Sequence, residues 1–418
     1  MNSARPRADH QAAQPPLHGI RVIDMSSVLM GPFASQALGD MGADVIKIEA
    51  PAGDVVRQIG PARHADMGPI FLNTNRNKRS VVLDLKQPAA VAALLQLARD
   101  ADVFATNVRP AAMRRLGLGP DVLLAANPRL IYASMVGFSQ RGPYAAKAAF
   151  DDMIQAATGL AAVVGEAAGE VPRYLPITIA DRSVGLYAFG VISAALYARE
   201  RTGRGQSVEI PMFETMIPYV LGDHLYGRTF EPARGDFSYP RLMSPNRRPY
   251  KTRDGYVCCL IYTDRHWELF LNAIGKGELL KTDPRLANIR TRTQAIDALY
   301  QLVADELAQR STAEWRALLP ESEIPIFPMH TFESLLHDEH LQQTGFFQHT
   351  EHPVVGAVLE TAVPSEWSDT VPRHQRPVPA LGQHTTEVLR EAGFAPADID
   401  ALLASGAARA AKPPSSTA

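Results

Sequence analysis

The stretch "ITIADRSVGLYAFG" (177–190) sets a lone carboxylate, Asp181, between a short apolar, strand-like run and a long, mostly apolar segment. Burying a carboxylate without compensation is expensive, so its position calls for a reason. Two physical roles suit it. Aspartate is among the best helix N-caps, and Arg182 to Arg199 reads as a helix that Asp181 would cap. That helix is apolar nearly all round, which predicts it buried, and its cap with it. A carboxylate at a helix N-terminus is stabilised as the anion by the dipole and free N–H groups, so capping and nucleophilic attack are compatible.

Other chemistry is weakly represented. Basic residues cluster in "NRNKRS" (75–80) and "NVRPAAMRRLG" (107–117), where a doubly wound sheet presents ligands, and arginine's planar fork suits phosphate. Any single arginine there also reads as part of a solvated face. The first strand runs into "SSVLMGP", which lacks the G-x-G-x-x-G grip for a dinucleotide. A P-loop and a G-x-S-x-G elbow are likewise missing from the sequence. His337 and His340 in "HDEH" share a helix face, yet no zinc signature surrounds them, so they read as an exposed polar turn and no metal is expected.

The elements that must carry these groups alternate. "IRVIDM" (20–25), "ADVIKIE" (43–49), "RSVVLDL" (79–85), "ADVFATNV" (101–108) and "RLIYASMVGF" (129–138) read as strands. Helical stretches such as "PFASQALGDMG" (32–42) and "QPAAVAALLQLARD" (87–100) separate them. This pattern predicts an α/β fold: a large Rossmann-like domain with a mostly parallel sheet over 19–225. A Gly-, Pro- and Arg-rich stretch follows, then strand and helix patterns that predict a smaller α+β domain over 226–345. Residues 346–402 read as a return to the large domain. The ends, 1–18 and 403–418, read as a disordered arm and tail.

With 42 Lys and Arg against 44 Asp and Glu, the chain has no basic field for nucleic acid or an anionic membrane. The two cysteines, Cys258 and Cys259, are neighbours and have nothing else to pair with, which suits a reducing, cytoplasmic setting. The N-terminal stretch carries no apolar segment of the secretory type.

Several stretches together resemble the family III CoA-transferases, which include formyl-CoA transferase, carnitine CoA-transferase and the alpha-methylacyl-CoA racemases. They include "GIRVIDMSSVLMGP", "GADVIKIEAPAGD", "NKRSVVLDLKQP", "RLGLGPDVLLAANPRLIYASMVGFSQRGPY" and "DRSVGLYAFGVISAALYARERTGRGQSVEIPMFE", and the likeness runs from about Gly19 to Phe394. The resemblance implies that Asp181 is the nucleophile of a D-x-x-x-G segment completed by Gly185. It implies covalent transfer through aspartyl anhydrides and an aspartyl-CoA thioester, with acyl-CoA and a carboxylic acid as substrates and no tightly bound cofactor. It implies an interlocked homodimer. For CoA binding it points to Val28, Leu29, Asn107 and Arg115, to Lys147 and Phe150, and more weakly to Arg76 and Lys78. Two positions depart from the pattern: Ala50 stands where formyl-CoA transferase has an arginine, and Ala148 where a lysine is usual.

Racemases of this family pair the aspartate with a histidine, because inverting a carbon requires a base on each face. Phe150 occupies that place, and phenylalanine carries no proton, although Asp151 or Asp152 remains open as a substitute. Either of those also reads as the cap of the helix that follows. The glycine-rich loop of formyl-CoA transferase corresponds to "PNRRPYKTRDG". Its Arg247 and Arg248 suit a second carboxylate, as on a succinyl donor, or form an exposed basic turn. A CoA-binding protein without turnover and a thioester hydrolase remain as alternatives.

Overall fold

The computed structural model describes residues 14–320 and 323–411. Twelve strands lie among them. They are β1 (Arg21–Met25), β2 (Asp44–Glu49), β3 (Lys78–Leu83), β4 (Val103–Thr106), β5 (Ile131–Val136) and β6 (Gln206–Pro211). There follow β7 (Tyr250–Lys251), β8 (Tyr256–Cys259), β9 (Ile326–Pro328), β10 (Phe347–His352), β11 (Gly356–Thr361) and β12 (Ala408–Arg409).

The chain divides into two units. Among the described residues the large unit holds 14–154, 177–216 and 340–411, and the small unit holds 155–176, 217–320 and 323–339. The sequence placed the crossing near 225 and kept 155–176 in the large unit. Composition marks the Gly/Pro-rich stretch after 225, but the chain leaves inside the helix Met212–His224, where no compositional break occurs.

In the large unit a seven-stranded sheet runs in the order β12-β3-β2-β1-β4-β5-β6. Strands β1 to β6 are parallel, and β12 joins β3 antiparallel. β1 to β3 are buried on both faces, as strands of a sheet covered on both sides are. One face packs Ile23, Ile46, Val81 and Phe104 against the helix Pro88–Arg99 and the C-terminal helices. The other packs Val22, Val45 and Val103 against α1 (Met30–Asp40) and a long helix, Ile179–Thr202. The C-terminal return is pinned by Arg79, whose guanidinium reaches Asp44, Glu387 and Glu391.

The tail departs from expectation. The helix Pro396–Ala404 and β12 extend the fold through Arg409, and Ala407 and Ala408 are buried. Two residues are too short to read as a strand from pattern; pairing with β3 makes them one. Residues 1–13 and 412–418 lie outside the described residues.

The small unit has the sheet β7-β8-β9, antiparallel throughout, packed on Trp267, Phe270, Leu299, Val303 and Trp315. Ser311 caps the helix Thr312–Leu318 in a capping box with Glu314.

Candidate active site

In the sheet order, β1 and β4 are the neighbours at which the chain reverses its direction of travel across the sheet. Loops leaving the carboxyl ends of the two strands diverge there and open a crevice. Two cavities occupy it. One, of about 290 Å³, is lined by Ser27, Val28, Asn107, Lys147, Phe150 and Asp181, among others. The second, of about 510 Å³, is lined by Ala50, Gly53, Val55, Leu85, Lys86 and Leu116, among others. Ser27 and Val108 belong to both walls.

The loop after β1 is held tightly. Ser27 N donates to Asn107 Oδ1 at 3.0 Å, and Asn107 Nδ2 returns a bond to the Ser27 carbonyl at 2.8 Å. Val28 adopts φ 69°, a left-handed conformation costly for a β-branched residue. Its N–H donates to Asp54 Oδ1 at 3.1 Å. Asp54 in turn pairs with Lys47 at 3.0 Å, and Lys47 Nζ donates to the Ser26 carbonyl at 2.9 Å. Lys47 and Asp54 are buried, so an internal ion pair fixes the loop that forms both cavity walls.

Asp181 reaches the first cavity from the helix Ile179–Thr202. Two sequence expectations change here. No strand precedes Asp181, and the helix starts at Ile179, three residues before the expected Arg182, with Thr178 at the cap position. Asp181 therefore sits in the first turn, where the dipole still favours an anion. Gly185, one turn later, faces α1 so closely that a Cβ would lie 2.8 Å from the Met30 carbonyl oxygen. That contact is the physical basis of the D-x-x-x-G spacing: the glycine lets the helix approach, and the aspartate one turn before it is carried to the crevice. The Asp181 N–H donates to Asp151 Oδ1 at 2.9 Å. Burial, and then the Asp151 carboxylate, push the Asp181 carboxyl up to about 6 against the opposing pull of Arg182.

The helix behind Asp181 is only partly buried. Val184, Ala188 and Ile192 are fully covered, whereas Leu186, Tyr187 and Tyr197 are exposed. Among the described residues it alone is long and apolar enough to cross a membrane by length and composition, but its covered face belongs to the core of the large unit.

The other expected residues separate into groups. Val28, Asn107, Lys147 and Phe150 line the Asp181 cavity, Ala148 with them, and Ala50 lines its neighbour. Leu29 is buried just before α1 and does not line either cavity. Arg115 is exposed at the end of the helix Pro110–Arg115 and lines neither, although Leu116 beside it lines the second. Arg76 and Lys78 are corrected outright: they hold the fold. Arg76 pairs with Asp40 at 2.8 Å, and Lys78 pairs with Asp24 at 3.0 Å, both buried. Burial brings the Lys78 ammonium down to about 8, while Lys78 and Lys47 outweigh burial at Asp24 and hold it at about 2. They precede or begin β3, at the end of the sheet opposite the crevice, which composition could not reveal. Arg247 and Arg248 belong to the small unit and line a cavity there.

Sequence reasoning missed Arg109, Lys86 and Asp151 as members of the site. Arg109 stood inside the quoted basic cluster, while Lys86 had no signal. Asp151 was weighed only as a helix cap or racemase base, and it does open the helix Asp151–Ala157. His337 and His340 are exposed, and the described residues contain no group of three or more metal-ligating side chains.

A crevice at the β1/β4 reversal, with Asp181 on the wall of one of its two cavities, is the ligand-binding position of a doubly wound α/β fold. The chain belongs to CoA-transferase family III, whose model matches residues 17–385. It is 30% identical over 409 residues to succinyl-CoA:glutarate CoA-transferase of Mus musculus, covering 97% of this chain and 92% of that one. It is 32% identical over 392 residues to succinate–glutarate CoA-transferase of Agrobacterium fabrum, covering 90% and 96%. A CAIB/BAIF family protein from Brucella suis has the same fold, with a TM-score of 0.75 at 28% identity, covering 91% of this chain and 100% of that one.

Proposed function

We propose that the protein moves CoA from an acyl-CoA donor, succinyl-CoA or another dicarboxylyl-CoA, to a carboxylic acid acceptor through covalent intermediates on Asp181. The carrying observation is that Asp181 is the one carboxylate among the described residues lining the first cavity, with its carboxyl raised to about 6. A carboxylate that basic is ionised at neutral pH and more nucleophilic than an ordinary aspartate. Family membership and the names of the two transferases above support the donor class.

In the proposed sequence an Asp181 oxygen attacks the thioester carbonyl, the C–S bond breaks, and a mixed anhydride and CoA thiolate form. The thiolate attacks the Asp181 carbonyl, giving an aspartyl-CoA thioester and releasing the donor acid. The acceptor carboxylate attacks that thioester carbonyl, forming a second anhydride and freeing the thiolate again. The thiolate then takes the acceptor's acyl group and Asp181 is restored. Every step exchanges activated acyl groups, so neither ATP nor metal enters the balance. CoA is a substrate, placed along the two adjoining cavities, with Val28, Asn107, Lys147 and Phe150 on one wall and Lys86 and Arg109 as cations within reach.

Racemisation on the same aspartate is disfavoured by Phe150 on the cavity wall, since no histidine lines that cavity among the described residues. We assign the exposed Leu186, Tyr187 and Tyr197 on the long helix to a homodimer contact, in a cytoplasmic enzyme. The test of the chemistry is intact-protein mass spectrometry after incubation with succinyl-CoA and hydroxylamine, followed by peptide mapping. A hydroxamate confined to the Asp181 peptide and dependent on acyl-CoA is the expected result. No adduct with several donors sinks the covalent route.

A further inference from the structure

The small unit contains a cavity of about 570 Å³ built on β7, β8 and β9. That volume lies within the usual range for small-molecule sites. Its floor and walls include Tyr250, Leu260, Tyr300, Ile326 and Phe327, and three arginines border it: Arg241, Arg247 and Arg248. No Asp or Glu lines it.

The arginines differ from several others of the small unit. Elsewhere in the small unit Arg228, Arg253, Arg265, Arg285 and Arg292 each pair with a carboxylate. None of the three cavity arginines has an ion-pair partner among the described residues. Arg241 lies over the Tyr262 ring, 5.2 Å from its centroid, and its Nε is buried with no hydrogen-bond partner among the described residues. The Tyr300 hydroxyl is in the same condition, and Tyr300 is 3% exposed. Its ring is fixed edge-on against Tyr250, so the hydroxyl is held in place. Buried donors left unpaired cost free energy until something accepts from them. Nothing already present competes for the cations: burial, with Cys258 beside it, pushes the Cys259 thiol up to about 12, so it stays neutral.

The cavity thus offers apolar walls, two inner donors lacking acceptors, and two exposed arginines at the opening. We propose that it holds a carboxylate of a dicarboxylic acid, with Arg241 and Tyr300 as inner donors and Arg247 and Arg248 at its mouth. This rests on the reading of the enzyme as a transferase of dicarboxylic acids, and it names the residues that select them. A guanidinium and a phenol suit a carboxylate because one presents a paired fork and the other a single directed O–H. The apolar walls take the methylene stem. The same carboxylate arrives either on the free acid or on the far end of its CoA monothioester.

The experiment is calorimetric titration of the full-length protein with glutarate, pentanoate and inorganic phosphate, in the natural chain, Tyr300→Phe and Arg241→Gln. Pentanoate has the same five-carbon length as glutarate without the second carboxylate. Glutarate should bind at least about tenfold more tightly than either control, the size expected of one charge-assisted hydrogen bond. Tyr300→Phe, which keeps the ring packing, should narrow that ratio about 3- to 10-fold, and Arg241→Gln more. The same titrations on an Asp181→Asn chain separate this inference from the covalent chemistry, because binding should persist there without transfer. A loss of preference for glutaryl-CoA over pentanoyl-CoA in KM assigns the site to the thioester's free end, and loss for the free acids assigns it to the acceptor. An unchanged glutarate-to-pentanoate ratio in Tyr300→Phe overturns the proposal even if Arg241→Gln fails to fold. So does phosphate binding as tightly as glutarate.

Discussion

Asp181→Asn should remove transfer activity and at the same time make the protein more stable above neutral pH. The native carboxyl is raised to about 6, against 3.8 for the ordinary group that the unfolded chain presents. Because folding raises the pKa, the folded chain binds the proton more tightly than the unfolded one. The cost of the charge is absent below about pH 4, where both states are protonated, and complete above about pH 6. The difference between 3.8 and about 6 corresponds to about 3 kcal/mol at pH 8 and roughly half that at pH 5. Asparagine keeps the shape, stays neutral at every pH, and also relieves the repulsion from Asp151. Scanning calorimetry of both proteins at pH 8 and pH 5 tests the ledger. The variant's transition should lie a few degrees higher at pH 8, with the gap shrinking at pH 5. A gap that is absent at pH 8, or equal at the two pH values, would show that the aspartate is not a costly buried anion and that its helix-end position compensates it fully.

Three further outcomes follow from the same geometry. In the natural enzyme kcat/KM should climb tenfold per pH unit below about pH 6 and level off above it, as the Asp181 carboxyl ionises; a profile flat from pH 5 to 8 counts against Asp181 as nucleophile. Gly185→Ala puts a methyl 2.8 Å from the Met30 carbonyl oxygen, so it should cost about 1–3 kcal/mol in urea unfolding and reduce kcat as Asp181 moves with its helix. Lys47→Met leaves Asp54 buried without its cation and should cost about 3–5 kcal/mol, while raising the KM for acyl-CoA through the freed Val28 loop. Adding Asp54→Asn to that variant should recover part of the stability but not the KM.

Periodicity carries far in this chain because its strands are long apolar runs and its helices amphipathic, so the parallel sheet and its order of elements are legible without coordinates. Asp181 stood out for the same reason: a charge inside an apolar stretch contradicts its surroundings, and contradictions are visible in one dimension. Its helix boundary was not, because the residues before Asp181, "ITIA", favour a strand locally, whereas the helix already begins at Ile179. The basic cluster at 75–80 shows the limit from the other side. Arg76 and Lys78 have the composition of a phosphate site, yet their partners Asp40 and Asp24 lie 36 and 54 residues away in the chain. Charge sequence alone cannot separate a cation awaiting a ligand from one already neutralised.

The sequence by itself determined the fold class, the family likeness and the candidate nucleophile, since each depends on local pattern or residue identity. Tertiary structure decided what surrounds those residues. It buried Asp181 and placed Asp151 against it, which together raise the carboxyl to about 6, and it fixed Val28 at a strained angle through Lys47 and Asp54. It also gathered Arg241, Arg247, Arg248 and Tyr300 around one cavity. Those are relations between residues far apart in the chain, set by packing and desolvation, and no reading of neighbours along the sequence contains them.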